Sequence, residues 1–388
     1  MSNKKSNEIL SFCMLVVLVL PTYILPTNIE NLLKYKYLLS FIWAILIFFK
    51  CEYYQKKSLL PIWLFLGTGS ISTILNYSLN NLKSFGVLFI TIFSGVVITY
   101  YYIKLRKLQG IKDITILFAV FLIINAITRL SGGVEKLRTD MTGYSYYRTN
   151  YFLGIRVDIS NILIFSVSLS HIMCLKSSKK FKSFALLGII AGVYFVIVES
   201  VSTAIVTLLV YVLILIASKV IRSKKMWRNL AIFILICAIA FYFVSINMEI
   251  FSWLLEDFLG ESLTFHGRTR LWEQALNGMQ GWHWLFGNGM RNSVFTLNAT
   301  FNVTTAHSQY LNILYYFGFA GLFAYVYMLV VQFSVIIKIK SARLRVLLIA
   351  ADIAIIVMGI PTTTFNYAYM FIYYVCVVMM PKYYMQIY

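Results

Sequence analysis

Long apolar stretches alternate with short basic ones along the chain, and the apolar stretches set the expected element count. A helix needs about 20 residues to cross roughly 30 Å of hydrocarbon. Runs of that order fall near residues 9–27, 36–49, 59–77, 86–103, 113–130, 157–175, 183–199, 201–221, 229–247, 309–337, 344–360 and 366–385. These segments predict an all-α, polytopic integral membrane protein of about twelve spans, forming one transmembrane domain over residues 1–388. The runs at 36–49, 183–199 and 344–360 are the shortest. The first is expected to be a retained helix, because Pro21 and Pro26 follow its apolar core without a small-residue cleavage site.

Composition agrees with that pattern: 60% of residues are hydrophobic, 12% are charged, and the mean hydropathy is +0.78. A water-soluble domain of this length has no place for so much apolar surface. Charge then orients the spans. With the N-terminus in the cytoplasm and strict alternation, 23 of the 34 basic residues fall on inner segments, where the acids are only Glu8, Glu52 and Asp113. Both termini are therefore expected inside, and the net charge of +20 belongs to the cytoplasmic face, where it meets anionic headgroups. No nucleic-acid partner is needed to explain it. Cys13, Cys51, Cys174, Cys237 and Cys376 sit in or beside spans without metal or redox spacing and read as packing residues. There is no Walker A run, dinucleotide fingerprint, H-E-x-x-H or internal repeat.

Two segments on the expected outer face are longer than a connection requires, residues 131–156 and 248–308. The second holds Trp253, Trp272, Trp282, Trp284, Phe251, Phe258 and Phe286, a composition that argues for a folded loop. Within it, Arg268 to Met279 reads as an amphipathic helix. Leu271, Trp272, Ala275, Leu276 and Met279 share one side, which can rest on the bilayer interface, and Gly278 and Gly281 close it. Arg268 stands at the helix start, where the macrodipole does not favour a cation. That position fits an anionic ligand, or an ion pair with Glu261 or Glu273. His307 lies at the outer end of the tenth span. It is either a solvated helix-end residue or, if a hydroxyl reaches it, a general base, since a histidine with an ordinary pKa of about 6.5 accepts a proton at neutral pH.

The order Gly267, Arg268, Trp272, then Gly287 and Gly289, then His307, Tyr310, Leu311, Gly318 and Gly321 resembles the O-antigen polymerase and ligase family of the Wzy and WaaL type. The motif covers about 55 residues, and the twelve-span layout with a large loop between spans nine and ten is similar too. The resemblance implies a GT-C-like membrane glycosyltransferase in the bacterial inner membrane, active on the extracytoplasmic side. Its donor is an undecaprenyl-diphosphate-linked oligosaccharide, and it needs no metal, nucleotide sugar or other cofactor. On the same basis Arg268 stabilises the diphosphate that leaves, and His307 activates the acceptor hydroxyl. An arginine of the earlier loop assists, Arg148 in preference to Arg156, which has Asp158 nearby. Arg270, Arg291 and Tyr310 are further contacts to diphosphate or glycan. Ser308 departs from the family pattern, in which Asn is frequent after the histidine. That puts in doubt how His307 is oriented. Membrane lipids, a flippase and a chain-length regulator are the implied partners.

Other polar residues read as background. His266 and His283 have no carboxylate at ligand spacing, so no metal site is expected. His171 falls near an inner helix end. Asp352, inside the eleventh span, is a functional candidate by depth or an acid that snorkels or pairs with a lysine. The sequons at Asn298 and Asn302 are expected by chance in an Asn-rich loop. A flippase for the same lipid-linked glycan is the rival class, but short loops, an internal repeat and charges along a central path would then be expected. Between polymerase and ligase, size and loop layout favour the polymerase.

Overall fold

The computed structural model describes residues 2–26, 35–49, 56–139, 145–175, 177–221, 223–245, 268–290, 295–298, 301–303 and 305–384. Along them run helices α1 Ser2–Val19, α2 Tyr35–Phe48, α3 Leu60–Leu75, α4 Leu79–Arg106 and α5 Leu108–Leu130. Next come α6 Ser160–Cys174, α7 Lys179–Val198, α8 Ser202–Ala217 and α9 Lys224–Ser245. Two short helices, α10 Arg268–Asn277 and α11 His283–Phe286, precede α12 Gln309–Ile337, α13 Ala342–Met358 and α14 Ala368–Tyr384. Helix therefore falls on every apolar segment. Among the described residues, five helical stretches are long and apolar enough to cross a membrane: 79–106, 108–130, 156–174, 179–198 and 309–337. The segments 35–48, 60–75 and 202–217 are apolar but shorter.

Several boundaries differ from the apolar runs for identifiable reasons. α4, α7 and α13 start before their runs because serines cap them. The side chains of Ser78, Ser178 and Ser341 accept hydrogen bonds from the amides of Asn81, Phe181 and Leu344 at 3.1, 3.4 and 3.4 Å, satisfying donors that a helix start leaves free. α1 stops at Val19 and not near residue 27, since Pro21 disfavours helical backbone at the residue before it.

The structure is mostly helical, consistent with the all-α expectation, and both long loops add a short antiparallel hairpin. β1 Val134–Thr139 pairs with β2 Ser145–Asn150, placing Lys136 opposite Arg148. β3 Phe295–Asn298 pairs with β4 Phe301–Val303. Aromatic and β-branched residues such as Tyr146, Tyr147 and Thr149 favour the extended form once the chain leaves the helix. Gly132 and Gly133, at φ 87° and 74°, turn it out of α5.

Inside the bundle, small residues allow close helix contact, as expected where hydrocarbon surrounds the helices. A Cβ on Gly188 of α7 would lie 2.6 Å from that of Ala119 in α5. Between α3, α4, α12 and the residues before α14, the rings of Phe65, Phe85, Phe317 and Phe365 meet edge to face. This aromatic core lies under the loop residues that form the candidate site.

Candidate active site at the loop end of the bundle

α12 organises the site, and it is broken at Gly318, where φ is 66°. The break deprives the carbonyls of Tyr315 and Tyr316 of helical donors, a costly state in apolar surroundings. The turn at Gly287–Gly289 supplies replacements. The Asn288 amide donates to Tyr315 O at 2.8 Å and the Gly289 amide to Tyr316 O at 3.0 Å. Ser72 Oγ adds a 2.6 Å hydrogen bond to Tyr316 O, and Asn76 Nδ2 holds Gly287 O at 3.0 Å. Only glycine permits this approach. A Cβ on Gly287 would lie 2.3 Å from the Tyr316 carbonyl carbon, and one on Gly318 2.3 Å from the carbonyl of Leu285. The Gly-x-Gly turn therefore spends its amides on α12.

α10 forms where the periodicity predicts it, with Leu271, Trp272, Ala275, Leu276 and Met279 all buried. Its apolar side rests on protein and not on the bilayer interface. α9, β3 and α12 supply the surface, with Phe241 5.8 Å from Trp272 in an edge-to-face contact. Trp272 Nε1 donates to the Ala306 carbonyl at 3.0 Å. That bond ties the helix begun by Arg268 to the residue before His307.

His307 adopts φ 51°, a region that non-glycine residues enter only when their surroundings impose it. The surroundings do so here. Ala306 N donates to Asn312 Oδ1 at 2.8 Å, and Asn312 Nδ2 donates to Thr363 Oγ1 at 2.5 Å. Ser308 Oγ caps α12 by accepting from Leu311 N at 3.2 Å. Gln309 N donates to Gly359 O at 2.9 Å, while Gln309 Oε1 accepts from the amides of Thr364 and Phe365 at 2.6 and 3.1 Å. Ser308, Gln309 and Asn312 are fully buried beneath His307, which is exposed. A rigid buried network thus presents one imidazole at the surface.

The remaining candidates divide clearly. The Arg268 backbone opens α10, one helical turn before Trp272, and its side chain lies outside the described residues. Arg270 is exposed on the same helix. Tyr310 is not open to a ligand. It is 1% exposed, and its hydroxyl donates to Ile356 O at 2.8 Å, so it packs α12 against α13. Arg148 is exposed in β2 directly across from Lys136. Arg156 is exposed in a 3-10 turn at Arg156–Ile159. Asp158 is engaged with the Ile155 amide at 2.9 Å and the Tyr367 hydroxyl at 3.4 Å. Arg129 and Glu199 form an ion pair close by. Tyr151 there has its pKa raised by burial and by its hydrogen bond to Glu199, while Arg129 and Arg156 oppose the rise. Arg291, His266, Gly267, Glu261, Trp253, Phe251, Phe258 and Cys51 lie outside the described residues. His283 Nδ1 sits 3.0 Å from Gln280 O.

Sequence reasoning passed over Gln309 and Asn312, although two amides opening an otherwise apolar helix are a visible signal. It also passed over a cavity of about 90 Å³ with a mixed lining that includes Leu18, Lys36, Leu153, Asp158, Asn366 and Tyr367. Lys36 is buried there, with Nζ donating to Leu20 O at 2.5 Å. A lysine at the mouth of a span was the available cue.

Apolar helices of spanning length, five among the described residues, define a helical membrane protein. Residues 185–326 match the family model described as O-antigen ligase, a region that includes Arg268, His307 and the broken start of α12. The chain thus carries a domain consistent with the Wzy/WaaL family, which comprises membrane glycosyltransferase-like ligases and polymerases acting on lipid-linked glycans. No curated protein matches the chain.

Proposed function

We propose that this protein is a polymerase of oligosaccharide repeat units, joining undecaprenyl-diphosphate-linked units into O-antigen or capsular polysaccharide at the outer face of the bacterial cytoplasmic membrane. The observation that supports it most is His307, exposed at φ 51° above a buried network and linked through Ala306 and Trp272 to the helix that Arg268 begins. In this reading the twelve helices adopt a GT-C-like arrangement with both termini in the cytoplasm. A flippase and a chain-length regulator work beside it.

The chemistry is a displacement at the anomeric carbon. A hydroxyl of the acceptor sugar attacks C1 of the donor glycan, and its proton passes to the His307 imidazole. The bond between C1 and the phosphate oxygen breaks, and its electron pair leaves with the undecaprenyl diphosphate. Charge then grows on the diphosphate, where the guanidinium of Arg268 offers paired donors matched to phosphate oxygens. Arg148, beside Lys136, is the favoured second cation, with Arg156, Arg270 and Arg291 as further anion contacts. No metal or cofactor is assigned a role.

His307→Ala and Arg268→Ala are each expected to abolish polymer while membrane protein levels stay normal. Normal-length polymer from either variant removes that residue from the site. Ligase activity on lipid A-core is the second reading, favoured by the printed description of the matching family. A deletion strain separates the two. Single repeat units still attached at the cell surface indicate a lost polymerase, whereas full-length polymer stranded on its carrier indicates a lost ligase.

A further inference from the structure

We propose a binding site for one anionic phospholipid at the opposite, basic end of the bundle, in the groove between α9, α12 and α13. A cavity of about 270 Å³ lies there, lined by Ala231, Leu235, Leu329, Phe333 and Ile356, with Arg228 and Lys338 at one end. Exposed Ile232 and Val330 also line it, so it opens sideways from the bundle toward the lipid.

The order of groups along the groove matches a phospholipid. Arg228 lies four residues into α9, and Lys338 directly follows α12, so both cations stand within about one helical turn, roughly 5–6 Å, of the helix ends. The walls beyond them are apolar. Asp352 borders the groove deeper, ten residues into α13, about 15 Å along that helix. Gln332 Nε2 donates to its Oδ1 at 2.7 Å, so this carboxylate faces an amide at chain depth and not the headgroup level. Neither Arg228 nor Lys338 forms an ion pair with a described residue.

Water is a poor occupant of such a space, since each molecule needs two to four polar partners and the walls supply few. A lipid without net charge would fill the apolar part but leave the two lining cations, Arg228 and Lys338, uncompensated. A headgroup with a net negative charge, a phosphate without the ammonium that phosphatidylcholine carries, answers both, as in basic pockets between spanning helices. Lys224, Lys225, Lys340, Arg343 and Arg345 surround the mouth in sequence and raise the local concentration of anionic lipid without distinguishing one site.

Native mass spectrometry of the full-length protein in detergent tests the site, with phosphatidylglycerol and phosphatidylcholine of identical chains as probes. Wild type is expected to retain one phosphatidylglycerol in preference to phosphatidylcholine. At about 1 kcal/mol for each cation near a phosphate, Arg228→Gln or Lys338→Gln weakens retention about fivefold, and the double variant about thirtyfold. Lys179→Gln with Lys180→Gln removes equal charge at the start of α7, outside the groove, and leaves retention unchanged. Val330→Trp keeps both cations, blocks the opening and abolishes retention of either lipid, which covers the case of a double variant that does not fold. Equal retention of the two lipids by wild type overturns the proposal. So does undiminished binding in Val330→Trp, or a loss in the α7 control equal to that of Arg228→Gln with Lys338→Gln. Every readout is lipid retention, so the outcome is independent of the catalytic reading.

Discussion

Replacing Trp272 with Phe tests whether the α10 anchor positions His307. The ring is 1% exposed and Ala306 is fully buried, so losing the 3.0 Å bond from Nε1 to Ala306 O leaves a carbonyl that water cannot reach. An orphaned buried acceptor costs about 1–3 kcal/mol. The Ala306 peptide is held on its other side by Asn312, so the turn is expected to loosen and not to unfold. At 1.4 kcal/mol per factor of ten, the population that presents His307 correctly falls roughly five- to hundredfold, and chain elongation should fall with it. The assay is elongation of lipid-linked repeat units in proteoliposomes per mole of folded protein, read beside thermal melting. Phe241→Leu is the control, because it alters packing on the same ring and keeps the hydrogen bond. It should lower the melting point with less effect on elongation. Wild-type elongation by Trp272→Phe, or equal losses in the two variants at equal stability, would refute the positioning argument.

Five further outcomes follow from the same structure. Gly318→Ala combines a left-handed backbone cost of about 1–2 kcal/mol with a Cβ 2.3 Å from the Leu285 carbonyl and should eliminate monodisperse protein on size exclusion. Gly281→Asn, at φ 52° with nothing within 4 Å, should elute normally because Asn tolerates that backbone. Ser308→Ala removes the α12 cap at a cost of about 1 kcal/mol, and melting should rank wild type above Ser308→Asn, which keeps a capping oxygen, and Ser308→Ala last. Asp352→Leu strands the buried Gln332 amide and should lower thermal stability by about 1–3 kcal/mol, whereas Asp352→Asn keeps the acceptor and should melt near wild type. Arg129→Ala leaves Glu199 with its Tyr151 hydrogen bond but without its cation, at about 1–2 kcal/mol for a partly buried pair. Adding Glu199→Gln should recover part of that loss in the same melting assay.

The helices were legible because hydrocarbon imposes one rule on every spanning segment, and apolar run length reports it directly. Their starts were less so. Ser78 and Ser341 extend α4 and α13 through cap bonds to Asn81 and Leu344, which hydropathy does not register. The hairpins were missed for a related reason. Strand pairing in 134–150 depends on a partner strand, and short polar-aromatic runs have no period long enough to reveal one. Asp352 reads from sequence as a functional candidate or as an acid that snorkels or meets a lysine; its hydrogen-bond donor is Gln332 on α12, a contact between helices that no spacing within α13 encodes.

The site shows how far adjacency in sequence reaches. α10 was visible from its i, i+1, i+4, i+5 pattern, and its buried side came out residue for residue. The surface that covers that side was not, because α9, β3 and α12 become neighbours only in the fold. His307 was visible as a residue type near a helix end, but an imidazole becomes distinctive through its backbone. Its φ of 51° is held by Asn312 against Thr363, and by Gln309 against Gly359, Thr364 and Phe365. Those partners lie about fifty residues downstream, before α14. The same logic makes Tyr310 a packing residue despite its place in the motif, since its hydroxyl is occupied by Ile356 O. A motif therefore mixes residues that face a ligand with residues that hold them in place, and burial with hydrogen-bond partners is what separates His307 from Tyr310.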